Sequence, residues 1–197
     1  MLTGSEANRT AAQLRAAQRR HFDGLAPVRI RQAFAAMQLP QPPFQLRPVT
    51  ASDSDLLLTW TNDPTVRQQS FNPKPVPRAA HEAWFSTRLA DAQALLLLAE
   101  DVATGAPVGL IRFQVEAQTA TLSYQLAAEW RGLGLAAPLL LAGTEAVQKQ
   151  YPQVRRVRGQ VQATNLASGR AFERAGFSRE TTAADAPVGS LTFEWIV

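Results

Sequence analysis

The stretch Glu129-Trp130-Arg131-Gly132-Leu133-Gly134-Leu135-Ala136 is the feature around which the rest of the chain is organised. Alternating residues at 119–126 precede it and predict a β-strand. Apolar residues at helical spacing, from Leu139 to Val147, follow it and predict a helix. The stretch is therefore a glycine-rich turn that joins a strand to the start of a helix.

This turn has the properties of an anion-binding site. The first turn of a helix has N–H groups without intrahelical partners, and the helix dipole adds partial positive charge there. Glycines leave such a backbone open to a ligand, and Pro138 fits a first helical turn. The turn is therefore suited to a phosphate or pyrophosphate. The dinucleotide-binding fingerprint fits less well, because its third glycine and its early βαβ position are missing.

Composition and charge narrow the range of partners. The 197-residue chain has a formal net charge of +4 and a pI of about 10.3, which indicates an anionic ligand. Nucleic acid is disfavoured, because the basic clusters Arg19-Arg20 and Arg155-Arg156 are short. No cysteine and only two histidines are present, so we expect no metal site and a cytoplasmic location. No apolar run approaches the ~20 residues needed to cross a bilayer, so we expect no membrane partner.

The remaining patterns predict a mixed α/β fold. A helix is expected from the Thr50-x-x-Asp53 capping box to about residue 62. Further helices are predicted at 78–90, 136–150 and 167–175, with a short helical turn at 66–70, and strands at 44–49, 94–99, 108–115, 119–126 and 156–163 and in a hairpin from residue 177 to residue 197. The short connections between residues 94 and 126 predict an antiparallel meander within a mixed sheet that has helices on its faces.

Residues 1–43 differ from the rest of the chain. We predict a basic helical arm there, with helices at 10–21 and 28–37 and a proline-rich linker at 39–43. Three alternatives are open for the arm: packing on the domain, pairing with another subunit in a homodimer, or partial disorder. The chain is therefore divided into an arm, 1–43, and a domain, 44–197.

Two motifs resemble the signatures of the GNAT N-acetyltransferases. The first is Arg131-x-x-Gly134-x-Ala136, which is similar to the pyrophosphate-binding signature of that superfamily. The second runs from Asn165 to Phe177 and is similar to N-x-x-[AS]-x-x-x-[YF]-E-x-x-G-F. Their order, spacing and position after strands make a chance match improbable. The resemblance implies an α+β GNAT fold, with a mostly antiparallel, twisted central sheet splayed at the cofactor cleft and acetyl-CoA as co-substrate.

The resemblance also implies which residues hold acetyl-CoA. The backbone from Arg131 to Ala136 would hold the pyrophosphate, and the strand end 126–128 would splay from residues 158–161 to admit the pantetheine. The predicted cofactor-binding residues are Leu126, Ala127, Ala128, Arg131, Gly132, Leu133, Gly134, Leu135, Ala136, Asn165, Ser168 and Arg170. For Arg170, a contact to the 3′-phosphate and a solvent-facing position are both open.

Acetyl transfer needs a neutral amine, hydrogen-bond donors to the oxyanion and a proton for the leaving thiolate. A backbone N–H is worth roughly 10²–10³ in rate at an oxyanion, and the Leu126 N–H is our candidate. Many family members have a tyrosine at the position of Phe172 as the acid, so here the acid is predicted to be Ser168 or Tyr124.

The general base is less clearly marked. The candidates are His81, Glu82 and Asp63, and a water relay without a dedicated base is also open. His81 lies on an apolar helical stripe and has packing as its alternative role.

The acceptor is expected to contact the first third of the domain, which resembles acetyltransferases of pseudaminic-acid biosynthesis and, through shared features, ribosomal-protein acetyltransferases. The predicted substrate-binding residues are Trp60, Asn62, Arg67, Phe71, Trp84 and Arg112. Arg112 is notable because a charge inside an apolar strand should have a partner or a ligand. Three hypotheses follow: a nucleotide-linked amino-sugar N-acetyltransferase, a peptide α-amine acetyltransferase, and a non-catalytic acetyl-CoA-binding sensor or scaffold.

Overall fold

The computed structural model describes residues 42–180 and 187–196. The predicted arm helices at 10–21 and 28–37 lie outside these residues. The strands are β1 (Phe44–Pro48), β2 (Ala94–Asp101), β3 (Pro107–Glu116), β4 (Thr119–Leu126), β5 (Arg156–Gln162), β6 (Ser178–Glu180) and β7 (Ser190–Ile196). The helices are α1 (Ser54–Thr61), α2 (Pro64–Gln68), α3 (Arg78–Ala90), α4 (Ala136–Gln150) and α5 (Leu166–Arg174). Within the described residues, no helix is long and apolar enough to cross a membrane.

The seven strands form one sheet in the order β1-β2-β3-β4-β5-β7-β6. All neighbouring strands are antiparallel except β4 and β5, which are parallel. The predicted meander of β2, β3 and β4 is confirmed. The sheet is thus mostly antiparallel, as the predicted fold class requires.

The β4–β5 ladder is short. Its last pair is Leu122 with Gly159, although β4 continues to Leu126 and β5 to Gln162. The two strands therefore separate over their last residues. We predicted this opening between residues 126–128 of the first strand and residues 158–161 of the second. In the structure the strands separate earlier on β4, from Ser123, and later on β5, from Gln160.

Alternate residues of each strand point to opposite sides of the sheet. Helices cover both of these faces. On one face, α4 buries Leu139, Leu140 and Val147 completely. On the other face, α1 and α3 contribute Leu57, Trp60 and Phe85 to an apolar cluster that includes Leu98 and Leu110 of the sheet. The side chains of β3 that lie next to Leu110 along this second face continue into the site described below.

Local sequence signals set the helix boundaries. The predicted capping box is present, since the Thr50 N–H donates to the Asp53 carboxylate at 2.7 Å. A short 3₁₀ turn, Ala51–Asp53, intervenes before α1. Pro64 occupies the first turn of α2, where its missing N–H costs nothing. Gly176, at φ 84°, ends α5 in the left-handed conformation that glycine favours.

Candidate active site

The glycine-rich turn has the geometry of an anion cradle. Gly132 and Gly134 have φ values of 76° and 77°, and a Cβ placed on either would meet no atom within 4 Å. Helix α4 begins at Ala136 without a side-chain cap, and its first i to i−4 bond runs from the Leu139 N–H to the Leu135 carbonyl. Open glycines and an uncapped helix start are compatible with a pyrophosphate, and the binding site itself stays a prediction.

A cleft of about 740 Å³ opens where β4 and β5 separate. It is bordered by the two strand ends, the segment between α1 and α3, and the start of α5. Of the predicted cofactor-binding residues, those that line it are Leu126, Arg131, Gly132, Ala136, Asn165 and Ser168. Ala127, Ala128, Leu133, Gly134, Leu135 and Arg170 do not line the cleft; Leu133 and Arg170 are exposed, and Ala127 is fully buried.

At the end of β4, the N–H and the carbonyl of Leu126 are both on the side away from β3. The Ala127 N–H donates to the Val108 carbonyl of β3 at 2.9 Å. The Leu126 carbonyl instead accepts from the Arg131 Nε at 3.1 Å, on the side away from β3. Because successive N–H groups of a strand point to opposite sides, the Leu126 N–H also points to the cleft. This is the orientation that an oxyanion donor needs.

Two hydroxyl groups that the sequence offered as alternative acids lie together. Tyr124 Oη and Ser168 Oγ are 3.0 Å apart, and either can donate. Asn165 caps α5 by accepting from the Ser168 N–H at 3.0 Å, which fixes the position of the serine. Phe172, predicted to lack the acid role, is buried and packs edge-on against the Tyr124 ring, with ring centres 5.9 Å apart. Burial raises the pKa of the Tyr124 phenol, and the bond to Ser168 opposes that effect.

The predicted base candidates have structural partners. His81 is buried, its Nε2 lies 3.0 Å from the Ser54 carbonyl, and its ring stacks on Phe85. A carbonyl only accepts, so Nε2 is the donor nitrogen and only Nδ1 is left as an acceptor. Glu82 lies near Arg78 in an exposed pair. These positions favour the packing alternative for His81.

Asp63 joins two elements of the site. Its Oδ1 accepts from the Arg131 Nη1 at 3.0 Å and from the Val66 N–H at 3.1 Å. Burial acts to raise the pKa of this carboxyl, but the hydrogen bonds from Val66 and Arg131 outweigh it and hold the pKa below its usual value. A carboxylate with a lowered pKa is a weak base, so Asp63 is better suited to fixing Arg131 and the turn that follows it.

The side of the cleft that the sequence assigns to the acceptor is cationic. Arg112 lies on β3 with its Nε 2.6 Å from Ser123 Oγ and its guanidinium 4.7 Å from the centre of the Trp84 ring. Burial lowers the pKa of the Arg112 guanidinium, and the nearby charges of Arg88 and Arg67 lower it further. Arg67 donates only to backbone carbonyls, at 2.5 to 3.4 Å. Within the described residues neither Arg112 nor Arg67 contacts a carboxylate.

The other predicted substrate-binding residues divide into two groups. Phe71 and Trp84 line the cleft, together with both arginines. Trp60 does not, because its ring is buried in the apolar cluster on the α1–α3 face. Asn62 does not line the cleft either: its amide exchanges two hydrogen bonds with the backbone of Val76, at 2.9 and 2.7 Å, and thereby fixes the segment before α3. For these two positions the structure indicates a structural role.

Two glutamines of the cleft were not predicted. The Oε1 atom of Gln69 is buried without a donor among the described residues, which costs about 1–3 kcal/mol unless a ligand supplies one. Gln160, at the point where β5 leaves β4, also lines the cleft. Neither residue belongs to a motif, and only a packed structure shows which polar atoms lack a partner.

Comparison with known proteins agrees with this geometry. Residues 44–178 match the sequence model of the acetyltransferase (GNAT) domain. No curated protein sequence matches the chain.

Several solved structures have a similar fold. Spermidine N-acetyltransferase from Vibrio cholerae, in complex with CoA and spermine, has a TM-score of 0.67 at 16% identity, covering 78% of this chain and 95% of that chain. The aminoglycoside acetyltransferase AAC(6′)-Ib with coenzyme A has a TM-score of 0.64 at 21% identity, covering 78% and 94%. The ribosomal L7/L12 α-N-protein acetyltransferase RimL with coenzyme A has a TM-score of 0.66 at 18% identity, covering 79% and 94%. At these identities the likeness shows the fold.

Proposed function

This chain belongs to the GNAT acetyltransferase family and is an acetyl-CoA-dependent N-acetyltransferase, and we propose that its acceptor is the primary amine of a nucleotide-linked amino sugar. Acetyl-CoA supplies the thioester that is attacked. The open turn at Gly132 and Gly134, the uncapped start of α4 and the separated ends of β4 and β5 would hold it. The absence of cysteine supports a cytoplasmic location for the reaction.

The observation that carries the proposed acceptor is the pair of arginines without carboxylate partners. A partly desolvated guanidinium needs a counter-charge or several acceptors, and the half-buried Arg112 has one neutral hydroxyl and an aromatic face. Arginine binds phosphate with high geometric complementarity. A cationic acceptor, such as a polyamine or a peptide N-terminus, would be repelled at this position. The site is therefore better matched to an acceptor that carries phosphate.

In the proposed reaction the acceptor nitrogen attacks directly within a ternary complex. The Leu126 N–H donates to the acyl oxygen as negative charge develops there. The nitrogen–carbon bond forms, the carbon–sulfur bond breaks, and the amine loses its proton to water. Ser168 gives its proton to the leaving sulfur and regains one from Tyr124, whose phenol is reprotonated from water. The hydrogen-bonded pair supports catalysis over a purely binding role, since a sensor needs no proton donor at this position.

The test is acetyl-CoA turnover, followed as free thiol, against UDP-linked 4-amino sugars, ribosomal-protein N-terminal peptides, spermidine and aminoglycosides. We expect turnover with the amino-sugar nucleotides. Preference for the peptides would establish the α-amine alternative, and preference for spermidine or an aminoglycoside would overturn the anionic acceptor. Binding of acetyl-CoA without turnover on any amine would favour the sensor.

A further inference from the structure

A second cavity adjoins the cleft beyond Arg112. It has a volume of about 300 Å³, and we call it the side pocket. It shares Phe71, Trp84, Arg112, Leu122, Ser123 and Gln160 with the cleft. Its remaining lining comes from Arg88, Leu96, Phe113, Gln114 and Thr121. Because Arg112 lies at the junction, a ligand with an anionic centre can extend from the cleft into the side pocket.

The side pocket combines aromatic surface with one amide that has no partner. Phe71 is 51% exposed and offers ring surface for stacking, whereas one face of the half-buried Trp84 ring is covered by the Arg112 guanidinium. Gln114 is already engaged, because its Oε1 accepts from Arg88 at 2.5 Å and its Nε2 donates to Asp91 at 3.1 Å. The Gln160 side chain lines the pocket and has no such bond within the described residues, so its amide can still donate to and accept from a ligand. Ring surface beside an amide suits a planar heteroaromatic ring.

The spacing along β4 matches a long acceptor. Acetyl transfer is expected at Leu126, and Ser123, the partner of Arg112, lies three residues back, or roughly 10 Å along the strand. Thr121, in the side pocket, is five residues back, or roughly 17 Å. Amine, phosphate and ring would thus meet three successive parts of one groove.

We propose that the side pocket binds the nucleobase of the acceptor, with its phosphates at Arg112. This inference rests on the proposed function and extends it, because it places the distal part of the acceptor at a defined set of residues. It also predicts that affinity depends on the base and not only on the charge.

Thr121 allows the side pocket to be filled without touching the residues assigned to catalysis. Its side chain is exposed on β4, so Thr121→Trp adds volume to the pocket, and Thr121→Val is the matched control. The full chain is first saturated with CoA, so that the added nucleotides cannot bind at the CoA site. Binding of UMP, CMP, AMP, GMP and ribose 5-phosphate is then measured by titration calorimetry. CoA affinity, measured separately, verifies that each variant is folded.

We expect at least one nucleoside monophosphate to bind the wild type more tightly than ribose 5-phosphate does. Thr121→Trp should weaken that binding at least tenfold, and Thr121→Val should leave it nearly unchanged. Equal binding of ribose 5-phosphate, no binding of any nucleotide, or unchanged binding to the Trp variant would each overturn the subsite. Turnover of the amino-sugar nucleotides is scored separately, so nucleotide binding without turnover would reject the proposed function and keep the subsite.

Discussion

The Tyr124–Ser168 pair is our proposed substitute for the hydroxyl that is missing at Phe172. At the position of Phe172 the family commonly has the acidic hydroxyl, and here that ring only packs against Tyr124. The phenol instead comes from β4 and reaches Ser168 at 3.0 Å. The sequence offered Ser168 and Tyr124 as alternatives, because residues 44 positions apart give no sign of contact. The fold makes them one hydrogen-bonded unit.

Removing these hydroxyls should lower the rate more than it lowers binding. We expect Ser168→Ala to reduce kcat on the order of 100-fold and Tyr124→Phe on the order of tenfold, because a proton donor contributes to the chemical step. The double variant should be close to Ser168→Ala alone, since the two residues act as a unit. Steady-state kinetics with parallel CoA titration measures both effects. Full additivity of the two changes would contradict the relay.

The pH dependence follows from the raised pKa of Tyr124. Burial keeps the phenol protonated to a higher pH than a free tyrosine, whose pKa is about 10. The wild-type kcat should therefore not decline below about pH 10 through loss of this proton. A descending limb near neutral pH that disappears in Tyr124→Phe would show that the phenol titrates in the working range.

We expect the Arg112 side chain to add nothing to the stability of the fold while it strengthens binding of the acceptor. Arg112 is half-buried and has no carboxylate partner among the described residues, so an apolar side chain of similar length should pack there without loss of stability. We expect Arg112→Met to leave Tm unchanged or raised, while KM for a phosphate-bearing acceptor increases roughly 10- to 100-fold, the value of a charged hydrogen bond. Arg156→Gln, which removes a pair with Glu194 outside the cleft, is the control. A large drop in Tm for Arg112→Met would indicate a structural role.

The sequence identified Arg112 because a charge interrupted an apolar strand. It could not distinguish Trp60 from Trp84, since helical spacing places both on apolar stripes. Packing separates them: Trp60 is enclosed by the apolar cluster, and Trp84 lies at the edge, under the guanidinium of Arg112. Gln69 carried no sequence signal, because an unpartnered atom is a property of the folded environment.

Among the elements, one strand and one helix have the limits that the sequence predicted. They are β4, at 119–126, and α3, at 78–90. Both segments have a clear period and clear end signals. The length of the β4–β5 ladder was not predictable with the same accuracy. It depends on where two strands distant in sequence lose their pairing, and neither strand contains a proline or bulge that marks the point.

The close approach of β3 and β4 depends on Gly109. A Cβ there would lie 2.6 Å from the Gln125 carbonyl oxygen, a backbone atom that cannot move without β4. At Gly143 on α4 a Cβ would lie 2.5 Å from Ile111 Cδ1, the end of a flexible side chain. We expect Gly109→Ala to cost about 1–3 kcal/mol and Gly143→Ala less, because overpacking is cheaper where a side chain can rotate. Urea unfolding compares them, and a larger cost at Gly143 would contradict this account.

Gly109→Ala should also lower kcat, because it displaces the end of β4 next to Leu126. Gly143→Ala should not, since Ile111 faces α4 and lies away from the acceptor. The ratio of kcat between the two variants, measured at saturating acetyl-CoA, separates the effect on the site from the effect on stability.

Asp53 joins β1 to the start of α1. Its carboxylate accepts two bonds from Arg47 at 2.8 Å and one from the Thr50 N–H at 2.7 Å. The Arg47 bonds, and after them the Thr50 bonds, outweigh the effect of burial and lower the pKa of Asp53 from 3.8 to about 2. Because the folded pKa is below the unfolded one, the stabilisation is present above about pH 4 and is lost as the pH falls toward 2.

At neutral pH this difference in pKa corresponds to about 2 kcal/mol. We therefore expect Asp53→Asn to lower Tm at pH 7 by about 4–8 °C and to have a smaller effect near pH 3. Asp55→Asn is the matched control, because its pair with Arg78 is exposed and exposed pairs contribute about 0–1 kcal/mol. A destabilisation of Asp53→Asn that is the same at pH 3 and pH 7 would show that the charge is not the cause.

At the scale of the whole molecule, the cleft and the side pocket can be compared only over the described residues, 42–180 and 187–196. Every residue that lines the cleft lies between Leu57 and Phe172, and every residue of the side pocket between Phe71 and Gln160. The family match begins at residue 44, where β1 starts. The mixed sheet was predictable because strands and helices had different periods, and its splay because the two motifs resembled a family that has one. The class of acceptor was not predictable in this way, because it depends on charged side chains that come close to one another only in the folded chain.

We therefore propose that the catalytic unit is the domain that begins near Pro42, with the arm outside it. The edge strand β1 is held by contacts within the domain. It pairs with β2 along its full length, and the Pro43 carbonyl accepts from the Val102 N–H at 2.9 Å. A chain of residues 42–197 should fold, and its kcat and its KM for acetyl-CoA should stay within about twofold of the full chain, because it retains every residue that we assign to acetyl transfer. Saturating CoA, at about 100 times its Kd, should raise the Tm of both chains by about 5–10 °C. A shortened chain that shows this Tm shift but has lost turnover would place the arm in the acceptor site and would move the domain boundary.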